Sequence, residues 1–214
     1  MRRIPLIAAA LSLFIAGPSF AQEWIEYTSQ QDFFTSNFPT QPKIQGITYT
    51  TEYDIQVPAR VYSAVEGPSR YTVTVVDYTV AEKVHAERSK NCKATEQYPD
   101  ICTDHARLDL RGAIVYATWN LIKRDAKVTF LAYYNSDLIE GHQVQLSNAD
   151  GSRTFAAINM HENRLYILEG TVPKGYPQPA LFQQSLGFID KEGKRVRYSS
   201  IYSNAYPPPP RLVR

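Results

Sequence analysis

The sequence predicts an α+β protein, a single domain built on an antiparallel β-sheet flanked by helices. Three observations carry this expectation. Segments that alternate apolar and polar residues recur along most of the chain, separated by short turn signals rich in Gly, Pro, Asn and Asp. Two segments read as helices, one with apolar residues at three- and four-residue steps and one with Pro near its first turn. No segment repeats at a fixed period. Consecutive strands joined by short turns pair antiparallel, and helices must then cover one or both faces.

The chain opens MRRIPLIAAALSLFIAGPSFAQEW. Arg2 and Arg3 form a basic start, an uncharged apolar run follows from Ile4 to Ala16, and Ser19-Phe20-Ala21 places small residues where a signal peptidase reads. The reading is a secretory signal over residues 1–21, cut after Ala21. The apolar run is shorter than the ~20 residues a spanning helix needs, and no later stretch is long and apolar enough to span. The expectation is a soluble protein outside the cytoplasm, in a bacterial periplasm, with no transmembrane segment once the signal is gone.

Residues 22–203 read as the domain. EWIEYT is a short alternating strand, and DFFTSNFPTQP is a second, stopped by Pro39 and Pro42, which lack an N–H for a ladder. ITYTTEY, ARVYSAV and RYTVTVVDYT follow, the last two joined by the turn EGPS. In RYTVTVVDYT, Tyr71, Val73 and Val75 share one face and Thr72, Thr74, Val76 and Tyr78 the other. Ala81 to Asp104 reads as polar and irregular. Asp104 then suits a helix N-cap, and HARLDLRGAIVYATWNLIKR places Leu110, Ile114, Ala117 and Leu121 at helical steps before Lys123 and Arg124. Gly112 and the β-branched Ile114, Val115 and Thr118 weigh against a helix, and the alternation of Val115, Ala117, Trp119 and Leu121 also suits a strand. Strands resume with AKVTFLAYY and HQVQLSN. After the turn NADG, SRTFAAINM and NRLYILEG flank HEN as a hairpin. PQPALFQQSLGF is a short helix with Pro in its first turn, and DKEGK turns GFI into RVRYSSIY. Residues 204–214 form a basic tail with four consecutive prolines, expected to be disordered or polyproline II.

Charge narrows the function. With Arg2 and Arg3 removed, basic and acidic residues balance, and a neutral exported protein lacks the dense positive surface that nucleic acid needs. The balance is uneven, since Lys191, Lys194, Arg195, Arg197, Arg211 and Arg214 cluster at the C-terminus against Asp190 and Glu192 alone.

The only two cysteines are Cys92 and Cys102. In an oxidising compartment they read as a disulfide that closes a loop of about eleven residues, worth about 3 kcal/mol in the chain-entropy model. The alternative is a metal site from His85, Cys92, Cys102 and His105, whose ligand types suit zinc but whose spacing matches no compact finger. The two readings exclude each other, because a disulfide sulfur is no thiolate ligand. The spacing is not the C-x-x-C of a redox pair. No G-x-S-x-G, S-x-x-K, H-E-x-x-H or glycine-rich phosphate loop is present, so no catalytic residue and no cofactor is assigned. His161 falls in the HEN turn and reads as solvated. The 15 tyrosines read as residues of half-buried strand faces, with a tyrosine-lined groove for sugar or peptide as the alternative. The partner-docking candidates are Arg195, Arg197, Tyr206, Pro207 and Pro208, which offer positive charge and a polyproline segment to a protein or envelope component.

Two short patterns resemble the PsbP-like fold of extracytoplasmic bacterial and thylakoid-lumen proteins. One is Phe34-Thr35-Ser36-Asn37-Phe38-Pro39-Thr40-Gln41-Pro42, after a tryptophan-bearing strand. The other is Arg164-Leu165-Tyr166 followed by Phe182-Gln183-Gln184-Ser185-Leu186. The resemblance spans residues 24 to 190 and leaves out the cysteine loop and the basic tail. It implies an α/β/α sandwich, an antiparallel sheet between helices, and it supplies no catalytic residues. The function expected is a non-enzymatic binding or assembly-accessory protein. The competing expectation is a metal-dependent envelope enzyme or metal-binding protein built on the His85, Cys92, Cys102, His105 set.

Overall fold

The structure, a computed structural model, describes residues 23–92, 105–204 and 206–212. It is α+β. A small antiparallel sheet holds β1 (Ile25–Ser29), β2 (Phe34–Phe38) and β10 (Gly187–Phe188). A seven-stranded antiparallel sheet holds β3 (Lys43–Thr50), β4 (Gln56–Glu66), β5 (Ser69–Asp77), β6 (Ala126–Ser136), β7 (Ile139–Asn148), β8 (Arg153–His161) and β9 (Arg164–Val172). Its order is β3-β4-β5-β9-β8-β7-β6, so two meanders meet where β5 pairs with β9. The chain crosses between them through a 3-10 turn capped by Asp77, then α1 (Ala81–Asn91) and α2 (Ala106–Ile122). α3 (Ala180–Gln183) is a single turn.

Strand alternation sets the two cores. Tyr71, Val73 and Val75 of β5 face one layer, and Val76 faces the other with Tyr78 just beyond the strand, the division that period two requires. On the second side lie α1 and α2, with Ala113, Ile114, Ala117 and Leu121 of α2 packed on Val144, Ala156, Ile158 and Leu165. On the first lie the small sheet, α3 and the C-terminal segment, through Phe34, Phe38, Phe182, Phe188, Val196 and Tyr198. The layer opposite the long helices is therefore a second sheet carrying one helical turn. An alternating β2 with Phe at both ends supplies more flat apolar surface there than a four-residue helix does.

Asp32, just before β2, ties the layers together. Its buried carboxylate accepts from Arg60 Nε at 2.7 Å, from Arg60 Nη2 and from the Tyr62 hydroxyl at 2.5 Å, and its carbonyl accepts from the Tyr166 hydroxyl at 2.8 Å. Gly141 of β7 allows another close approach. A Cβ there would stand 2.0 Å from the Ile158 carbonyl oxygen and 2.5 Å from Asn159 Nδ2, the amide that donates to the carbonyls of Ile139 and Glu140.

Three readings need correction. The segment from Ala81 reads as irregular, yet α1 runs to Asn91. AEKVHAERSK consists of good helix formers with Glu82 in the first turn and Arg88 and Lys90 in the last, but only Ala81 and His85 are buried, so no apolar stripe announces it. The segment HARLDLRGAIVYATWNLIKR is a helix and not a strand; its N-cap is His105, and Asp104 lies outside the described residues. RVRYSSIY forms no strand and makes only isolated bridges, Ile189 with Arg195, Tyr198 with Arg211 and Ile139 with Tyr202.

The tail returns along that segment. Pro210 O accepts from Ser199 N at 2.9 Å, and Leu212 N donates to Arg197 O at 2.8 Å. Arg211 pairs with Glu162, and the Arg111 guanidinium lies 4.7 Å above the Tyr206 ring.

Candidate interaction surface

The sheet extends one strand beyond the helix that covers it. α2 packs mainly on β7 and β8 and reaches β6 only at its margin. In the β6–β7 register Leu131 stands opposite Val144 and Tyr133 opposite His142. Val144 belongs to the helix-side core, and His142 Nδ1 lies 2.9 Å from the Thr118 hydroxyl of α2, so Leu131 and Tyr133 point to the helix side. Val115 and Trp119, one helical turn apart, flank them from α2. The result is a groove of about 350 Å³ lined by Val115, Trp119, Ile122, Leu131, Tyr133 and His142. Trp119 is 56% exposed, Tyr133 62%, Val115 61% and Leu131 49%. Apolar side chains of this size in one contiguous exposed patch mark an interaction surface.

The groove is electrically neutral. Burial lowers the His142 pKa, and nearby Glu140 only partly offsets that, so its imidazole is uncharged at neutral pH. From Val128 to Ser136 the strand carries no ionisable carboxylate or cation. Among the described residues no strand pairs with the outer edge of β6. Asp137 and Leu138, both at positive φ, make the two-residue turn that closes on Ser136 and Ile139. That closure turns the backbone groups of Leu131, Tyr133 and Asn135 toward the open edge.

The residues singled out from the sequence lie elsewhere. Cys92 terminates α1, no described cysteine is free, and Cys102 lies outside the described residues. His85 and His105 both approach Tyr53, with ring centroids at 5.7 and 5.1 Å. His85 is buried, and its Nε2 lies 2.9 Å from Asp109 Oδ2, which also accepts from the Thr51 hydroxyl at 2.7 Å. Thr51 bonds the carboxylate, so the trio ties α1 and α2 to the β3–β4 turn. No three His, Cys, Asp or Glu side chains among the described residues are placed to hold a metal ion.

Arg195 pairs with Glu26 and lies 3.9 Å from Asp137; Arg197 lies 3.9 Å from the same carboxylate. Both guanidiniums thus face acidic neighbours of the body. Tyr206, Pro207 and Pro208 are exposed on the returning tail. Among the described residues Tyr62, Tyr78, Tyr166, Tyr198 and Tyr202 are buried in the cores, while Tyr176, Tyr71 and Trp24 line a separate groove of about 460 Å³.

His161 is 1% exposed, not solvated. Its Nε2 lies 2.8 Å from the Tyr198 hydroxyl, within rings from Phe188, Tyr198 and Tyr202. Sequence reasoning also passed over Val115, Trp119, Leu131 and Tyr133 as a surface. The available signal was the helix itself, since Val115 and Trp119 form an apolar pair outside the stripe of Ala113, Ile114, Ala117 and Leu121. No protein-family model matches the chain, and no curated protein matches it either.

Proposed function

We propose that this chain is an exported, non-enzymatic binding or assembly-accessory protein that works through the open face between α2 and β6. The observation that carries the reading is the exposure of Trp119 and Tyr133 on either side of a neutral groove beside an unpaired strand edge. The buried polar clusters point the same way: Asp32 with Arg60 and Tyr62, and Asp109 with His85 and Thr51, are internal ties between layers. The periplasmic location and the Cys92–Cys102 bridge belong to the same proposal. It is supported by the signal-like start and by the absence of a free described cysteine. The PsbP-like reading draws support from the antiparallel sheet, with Phe34–Phe38 forming β2 and Arg164-Leu165-Tyr166 opening β9.

The test is a benzophenone photo-cross-linker placed at Trp119 or at Tyr133 in the full chain and irradiated in intact cells. Adducts are expected at both positions and not at Ile44, which is 55% exposed on the opposite edge strand β3. No adduct at either position removes the reading. Mature protein from the same cells is expected to begin at Gln22, and a cytosolic chain retaining Met1 rejects the location.

A further inference from the structure

We infer that the occupant of the α2–β6 face is a second copy of this chain, joined by antiparallel pairing of the two β6 strands about Ala132. This rests on the reading of that face as an interaction surface. The strand is self-complementary in this register. Leu131 of each copy meets Tyr133 of the other on the helix side, and Phe130 meets Tyr134 on the opposite side, so every large side chain finds an aliphatic or aromatic partner. Ala132 meets itself at the two-fold axis, where a small side chain lets the strands approach. Leu131 and Tyr133 are the residues whose backbone groups face the open edge, and in this register they exchange hydrogen bonds with each other across the axis.

Charge fits as well. No charged residue lies between Val128 and Ser136, so pairing sets no charge against a like charge. The register shift between Val128 and Phe130 ends the regular ladder, and Lys127 of one copy then lies beside Ser136 and Asp137 of the other, where the Asp137 carboxylate stands between it and the Arg195 and Arg197 guanidiniums 3.9 Å away. The area is adequate. Phe130, Leu131, Tyr133, Val115 and Trp119 are 43 to 62% exposed, and with about 150–250 Å² per aromatic side chain the pair covers on the order of 1,000 Å², the lower bound of specific interfaces. Such a contact is isologous and closed, giving a dimer with a continuous sheet through both copies.

The test uses the full mature chain in two measurements. Directly opposed Cβ atoms in an antiparallel pair lie about 4.5–5.5 Å apart, so Ala132→Cys is expected to form a covalent dimer on air oxidation, with the cross-link mapped to residue 132. Thr48→Cys on the β3 edge is expected to stay monomeric. In sedimentation equilibrium the unmodified protein is expected to be a dimer, and Leu131→Asp to weaken it at least tenfold with an unchanged circular dichroism spectrum. A monomer at 100 µM together with an unlinked Ala132→Cys overturns the inference. Benzophenone adducts of a mass other than twice the chain would then keep the face as a binding surface and remove self-pairing, whereas no adduct removes both.

Discussion

The imidazole Nε2 of His161 lies 2.8 Å from the hydroxyl of Tyr198. This contact closes the C-terminal segment over the β8–β9 turn. Burial, reinforced by the positive charges of Arg211 and Arg164, pushes the His161 pKa down to about 3. Glu162 neighbours it in sequence, and Tyr198 and Tyr202 pack against the ring.

Stability is therefore expected to depend on pH through His161. Below pH 6.5 the unfolded chain takes up a proton that the folded chain refuses until near pH 3, so stability is full above 6.5 and falls as pH drops through that window. The loss is on the order of 4 kcal/mol for a shift of this size. Urea unfolding at pH 7 and pH 4 measures it. His161→Gln keeps a polar group near Tyr198 but binds no proton, and its loss between the two pH values should be smaller. An identical loss in both proteins would rule out His161 as the source.

Asp32→Ala strands the Arg60 guanidinium and the Tyr62 hydroxyl in the junction between the two sheets. The Arg60 side chain is 27% exposed and that of Asp32 1%, so some of the unpaired charge recovers water. A loss of about 3 kcal/mol is expected, read from the urea midpoint at constant m-value. A change below ~1 kcal/mol would show that the pair contributes little to holding β2 on the large sheet.

The Cys92–Cys102 bridge is expected to leave no titratable thiol in denatured, unreduced protein. Replacing both with Ser should cost about 3 kcal/mol, the loop-closure value. Two reactive thiols per chain with stoichiometric zinc would replace the bridge by the metal site.

Truncation after Asn204 removes the hydrogen bonds of Ser199 N to Pro210 O and Leu212 N to Arg197 O, and the Arg211–Glu162 pair. A net bond is worth about 1 kcal/mol and an exposed pair less, so the truncated chain should fold with a loss of about 1–3 kcal/mol. Differential scanning calorimetry reads it. An unchanged melting temperature would show that the tail contributes nothing to the body.

Strand faces and hairpins were readable because period two is local: each residue of RYTVTVVDYT reports its own side of the sheet. The Glu162-Asn163 turn, with both residues at positive φ, was readable for the same reason. α1 was not. Its stability rests on propensity and on two buried contacts, and the pattern of apolar residues carries neither.

The candidate surface was hidden more deeply. Trp119 and Leu131 lie in segments that read as ordinary amphipathic elements, and nothing local says that α2 stops short of the strand beside it. That follows from the crossover, which carries the chain from β5 at mid-sheet to β6 at the edge and lets α2 settle over β7 and β8. His161 shows the converse, a residue at the end of β8 taken out of water by a segment 37 positions later. The order of residues thus settled which side chains are apolar, where the chain turns and that a sheet forms, since those are short-range properties of the backbone. Which of those side chains remain in water was settled by long-range packing, because exposure depends on what the rest of the chain lays on top.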